Sequence, residues 1–128
     1  MDAMQEVFGD VIYGYSRMQA LEDGALVDVS DLGREAGLKF RVAVTQAVWA
    51  EYISVPDGVI GQDERGRTWD IVWMLRTAIK AGKGGEEIRY SVLVRNDNRR
   101  PRMVELKAIC GPGDEGEPVI TIMLPDED

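Results

Sequence analysis

The last third of the chain carries the clearest alternation of apolar and polar positions. Over 87–95, Ile88, Tyr90, Val92 and Val94 fall on one side, with Glu87, Arg89, Ser91 and Leu93 on the other. Over 103–110, Val104, Leu106, Ala108 and Cys110 oppose Met103, Glu105, Lys107 and Ile109. A period of two in β-forming residues predicts strands with one buried face. The run 119–124 is almost wholly apolar, which suits a central or fully buried strand. A polar hairpin loop at 96–101 and a Gly/Pro turn at 111–118 join these three strands, so they should pair antiparallel.

Upstream the period lengthens. Trp69, Val72, Trp73, Arg76 and Ile79 repeat near 3.6 and predict a helix over 68–81, with Asp70 in its first turn and Lys80 in its last. Val48, Trp49, Tyr52 and Ile53 share one face of a second helix over 45–53. Two shorter helices precede it. Ser16 and Gln19 fit a capping box for 17–23, with Gly24 as a left-handed cap. Ser30 is placed to cap the other, which ends at Gly37 with Leu38 packing back. Residues 25–29 read as a short extended piece, and 40–44 as a brief strand or a helix lead-in. Val7, Phe8, Val11 and Ile12 form an apolar patch, either a helical turn or a docked arm. The stretch 54–67 reads as a long connection with a tight turn at 63–66.

Helices first and strands last is the α+β pattern. The expected fold packs the helices near 45–53 and 68–81 on one face of a three- or four-stranded antiparallel sheet that ends in C-terminal hairpins. One domain spans 1–128, with 1–10 and 126–128 as flexible ends; a chain of 128 residues is long enough to bury a core without staples.

Charge adds an asymmetry. The net charge is −8, and both ends are acidic: residues 1–30 hold six acids and one base, and residues 110–128 hold six acids and no base. The middle is mildly basic. That balance argues against nonspecific nucleic-acid binding, which needs a basic field. No apolar run reaches the roughly 18 residues of a membrane span, and the N-terminus has no signal-peptide pattern. A single cysteine excludes an internal disulfide and fits a reducing cytoplasm.

Candidate chemistry is sparse. The chain has no histidine, which removes the commonest general base and the usual zinc ligand. Cys110 without a histidine is a poor nucleophile. Asp70 beside Trp69 and Trp73, or Glu105 on a strand, would suit carboxylate chemistry only if buried. No cofactor or metal is expected. The turn at 111–118 is Gly-rich, but Asp114, Glu115 and Glu117 repel phosphate and lack the spacing of a calcium loop. Stiffened by Pro112 and Pro118, these carboxylates are candidates for meeting a basic partner. The loop 95–102 offers the opposite charge, with Arg99, Arg100 and Arg102 as candidate contacts. Trp49, Trp69 and Trp73 with Asp70 are a candidate cleft, though aromatic stripes at helical spacing usually pack cores.

Five stretches resemble one family: 11–17, 20–30, 43–49, 69–74 and, the longest and most specific, 110–125 (CGPGDEGEPVITIMLP). They are similar to the DUF6573 type of small bacterial protein, often carried on mobile elements. The resemblance implies a bacterial cytoplasm and a mobile-element setting, and it transfers no site. The reading that results is a small acidic, non-catalytic binding or accessory protein with a protein partner. A carboxylate-dependent small hydrolase or transferase is the alternative, and a nucleic-acid accessory acting through 95–102 the second.

Overall fold

The computed structural model describes residues 15–82 and 85–128. The apolar patch at Val7, Phe8, Val11 and Ile12 lies outside them. Four helices and five strands follow in the order α1 (Arg17–Asp23), β1 (Leu26–Asp28), α2 (Ser30–Glu35), β2 (Arg41–Thr45), α3 (Gln46–Val48), α4 (Glu64–Lys80), β3 (Glu87–Val94), β4 (Arg102–Pro112) and β5 (Pro118–Met123).

The class is α+β, but the sheet is larger than expected and mixed. Five strands lie in the order β1-β2-β5-β4-β3. The hairpins β3–β4 and β4–β5 are antiparallel, as is β1–β2, whereas β2 runs parallel to β5 with Val42 opposite Ile120 and Val44 opposite Ile122. The expectation of three or four antiparallel strands is corrected here. Beyond the three C-terminal strands, the two added ones are three and five residues long, too short for a period to declare itself. A parallel contact between segments some 80 residues apart leaves no local trace at all. The nearly continuous apolar run of β5 does have a local meaning: it is the middle strand, flanked on both sides.

One face of the sheet carries the core. Val42, Val44, Tyr90, Val92, Leu106, Ala108, Ile120 and Ile122 meet Val48, Ile53, Ile71, Val72, Leu75 and Ala78 from the helical layer. The other face receives α1, whose Arg17 guanidinium donates to Thr121 Oγ1 (2.7 Å) and to the Ile120 carbonyl (2.9 Å).

Local chemistry explains most boundaries. Ser16 and Gln19 form the reciprocal capping box, and Gly24 closes α1 at φ 82°. Ser30 is not a cap. It is the first residue of α2, and its hydroxyl instead accepts the Val42 N–H (2.9 Å) while Asp28 takes the Ser30 N–H (3.0 Å). Burial pushes the Asp28 carboxyl up, but the Ser30 hydrogen bonds and Arg41 outweigh it and leave it below its ordinary value. Gly37, at φ 100°, donates to the Arg34 carbonyl and Leu38 to that of Gly33, the paired bonds of a Schellman motif.

The helix expected over 45–53 is α-helical only in α3. It continues as a π-helical turn, Trp49–Ile53, closed by Ser54 N–H to the Trp49 carbonyl (2.7 Å). The wider turn places Val48 and Ile53, five residues apart, both in the core. The turn expected at 63–66 is instead the start of α4. Asp63 Oδ1 accepts the Gly66 N–H (2.6 Å) as an N-cap, so the helix begins four residues earlier than the apolar period indicates. The C-terminal tail is not simply solvated: Glu127 accepts the Thr45 hydroxyl (2.8 Å) and the Leu124 N–H (2.7 Å), and its carbonyl receives Lys107.

Candidate functional site

The candidate site grows out of α4 and the strand it covers. The inner stripe of α4 (Thr68, Ile71, Val72, Leu75, Ala78) is spent on the core. Its outer residues Asp70, Trp73, Met74 and Thr77 face a cleft of about 540 Å³, completed by Tyr90, Ser91, Val92 and Leu93 of β3 and by Met103 of β4. Tyr90 and Val92 belong to the core face, Ser91 and Leu93 to the opposite one. A cleft that takes residues from both faces follows the edge of the strand.

That edge is open. β3 ends the strand order and pairs only with β4 among the described strands, so half of its backbone N–H and C=O groups have no ladder partner. The apolar flanks are exposed as well. Trp73 is 38% exposed and Met74 36% on the helix side; Leu93 is 54% and Met103 64% on the sheet side. Leu93 and Met103 are directly opposite each other across the β3–β4 ladder. Large apolar residues are thus gathered beside this edge and not scattered singly over the surface.

The aromatic in the cleft is held rigidly. Trp73 stacks on Trp69 with centroids 5.6 Å apart and 19° between the planes. The Arg76 guanidinium carbon lies 4.7 Å from the Trp73 ring centroid, within cation–π range. Asp70 sits at the helical rim. Loss of water around it raises its carboxyl pKa, and no cation among the described residues is bonded to it. A carboxylate in that setting gains from an incoming lysine or arginine.

The four residues read as a candidate cleft therefore separate. Asp70 and Trp73 share it, and Trp69 backs Trp73 while facing Leu32 and Glu35 of α2. Trp49 lies elsewhere, half-buried beside β1 and α2. Glu105 is an exposed strand residue 4.0 Å from Arg89.

The acidic turn is partly occupied by the fold itself. Both carboxylate oxygens of Asp114 accept backbone N–H groups at the start of α1, from Arg17 (2.7 Å) and Met18 (3.0 Å). The Glu117 carboxylate bends back to accept the Glu115 N–H (2.9 Å). Glu115 alone of the three keeps its side chain unengaged among the described residues. The Arg17 and Met18 N–H groups hold the Asp114 carboxyl below the usual aspartate range. Such a group contributes stability that is fully present above the unfolded pKa, about 3.9, and is lost as pH falls through the folded value. Asp114→Asn is expected to lower the thermal midpoint at neutral pH. The gap to the parent should close as pH drops below about 4, which circular-dichroism melts across that range will show.

In the basic loop, Arg95 turns inward to the carbonyls of Ile60 and Asp97, and Asn98 ties the loop to Gly58 and Ile60. Arg99, Arg100 and Arg102 are exposed, and none has an ion pair among the described residues. Among those residues no group of three or more Cys, Asp and Glu side chains is gathered so as to hold a metal ion. None of the described helices is long and apolar enough to cross a membrane.

Met74, Leu93 and Met103 escaped the sequence reading. The signal was there for two of them. Leu93 follows Glu87, Arg89 and Ser91 on the polar side of its strand, and Met103 precedes Glu105 and Lys107 on the polar side of the next.

The described residues form a small α+β fold with a five-stranded mixed sheet, a helical layer on its core face and, among those residues, an unpaired, apolar-flanked edge at β3. The chain belongs to a family of unknown function (DUF6573), whose model matches residues 4–128. Searches of curated proteins and of solved structures give no match.

Proposed function

We propose that the protein is a non-catalytic binding module that meets a protein partner along the open edge of β3. An extended segment of the partner adds as a further strand, its backbone pairing with β3. Its apolar side chains lie alternately against Trp73 and Met74 and against Leu93 and Met103, and a lysine or arginine meets Asp70. The observation that carries this reading is the coincidence of a strand edge unpaired among the described residues with exposed apolar residues on both of its flanks. The lone cysteine is consistent with the cytoplasmic setting expected above.

The hydrolase alternative has less support. Among the described residues Asp70 is the only carboxylate lining the cleft, with no second carboxylate or other base beside it. The nucleic-acid alternative keeps three exposed arginines, in a chain whose net charge opposes it.

Selection of random peptides displayed on phage against the full chain tests the proposal. Enriched sequences should alternate apolar and other residues and carry a lysine or arginine. Their binding should weaken in Asp70→Asn and fall away in Leu93→Lys. No enrichment over an unrelated protein, or peptides that bind both variants as well as the parent, would overturn it.

A further inference from the structure

A second cavity, of about 380 Å³, lies at the opposite flank of α4, between its C-terminal end, the α2–β2 loop and the core face of the sheet. Leu38, Phe40, Leu75, Ile79, Ile88 and Cys110 form most of its wall. The volume falls within the range of small-molecule sites, roughly 300–1,000 Å³. Two large apolar side chains of the wall remain uncovered: Phe40 is 42% exposed and Ile79 41%. In a filled core both would be buried, so they mark an entrance. The charged lining residues are Lys39, Lys80 and Glu86, all exposed. The two lysines come from separate elements, and neither ammonium has an ion pair among the described residues. In a chain of net charge −8, the described residues put two cations against one carboxylate at this rim, a locally positive balance.

We infer that this cavity takes an anionic amphiphile, a hydrocarbon chain ending in a carboxylate. The chain lies against Leu75, Ile88 and Cys110 and covers Phe40 and Ile79. The carboxylate meets Lys39 and Lys80. Walls of this kind reward apolar area, and the paired ammoniums select the sign of the head group.

Cys110 supplies the test, because it is the only cysteine in the chain and stands in the cavity wall. Reaction of the full-length protein with an aromatic disulfide reagent is followed with and without monomeric dodecanoate. Dodecanoate at ten times its Kd should slow the reaction about tenfold. Dodecyltrimethylammonium, with the same tail and the opposite charge, should not. Lys39→Glu combined with Lys80→Glu should abolish protection, each protein being compared with its own unliganded rate. Vesicles of phosphatidylglycerol should leave the rate unchanged, which separates a free acyl carboxylate from a membrane lipid. If the free thiol is inert, calorimetric titration with the same two amphiphiles makes the same decision. Absence of dodecanoate binding, equal binding of the cation, binding retained in the double variant or protection by vesicles would each overturn the inference. None of these outcomes bears on the β3 edge.

Discussion

Replacing Arg67 with methionine is expected to cost about 2–6 kcal/mol of folding stability, the largest loss foreseen for a single surface-distant side chain here. Arg67 lies in the first turn of α4 and is only 5% exposed. Its guanidinium donates to the Tyr52 carbonyl (2.8 Å), the Arg95 carbonyl (2.8 Å), Gln62 Oε1 (3.2 Å) and Asn96 Oδ1. Every acceptor is neutral. One side chain thus ties the end of the π-helical turn, the approach to α4 and the loop after β3. Burial lowers the pKa of the guanidinium, and the neighbouring Arg95 lowers it further, yet arginine stays charged. Methionine keeps much of the apolar stem but leaves two main-chain carbonyls without a donor, at about 1–3 kcal/mol each. Arg67→Lys should recover only part of the loss, since one ammonium cannot span the same fork. Urea denaturation of the three proteins decides the matter. A loss under about 1 kcal/mol for the methionine variant would mean that water replaces the guanidinium at little cost.

Trp73→Ala is expected to weaken a β3-directed peptide by about 30-fold, close to 2 kcal/mol. The indole is partly exposed and held in contact with both Trp69 and Arg76, which reduces the side-chain freedom that remains to be lost when a partner arrives. An ordered aromatic at the centre of an apolar cleft is the usual carrier of binding energy. Stability should change much less, because Trp73 contributes little to the sealed core. Asp70→Asn should act differently, lowering the association rate and flattening its salt dependence while the apolar contacts persist. Isothermal titration and stopped-flow association at two salt concentrations separate the two effects. Equal affinity for Trp73→Ala and the parent would remove the indole from the interface.

The parts of the fold that could be read in the sequence are those whose cause is local. The capping box at Ser16 and Gln19, the left-handed Gly24, and the alternation in β3 are each set by neighbours within a few residues, whereas in β4 the alternation breaks at Lys107, which is buried between Leu106 and Ala108. What could not be read depends on distant segments. The parallel pairing of β2 with β5 is one such case. Arg67 is another: nothing in the sequence around it announces that its acceptors lie at Tyr52 and Arg95. Asp114 is a third, since an acidic turn looks solvated until α1 is brought against it. The site was legible by half. Asp70 and Trp73 were singled out together, while Leu93 and Met103 could be seen only as apolar residues on the mainly polar sides of their strands. That those residues flank a sheet edge follows from the strand order, which no local pattern encodes.

Hydrogen exchange along β3 is the most direct measurement of the proposed strand addition. The full chain is exchanged alone and with a saturating amount of a selected peptide, and amides are resolved individually by NMR. In an antiparallel ladder the outward-facing amides recur at every second residue. The account predicts that such an alternate set within Glu87–Val94 exchanges rapidly in the free protein and becomes protected in the complex, with the neighbouring set, already bonded to β4, little changed. Protection confined to 113–117 or to 95–102, with β3 unaltered, would contradict it and move the interface to the acidic turn or to the arginine loop.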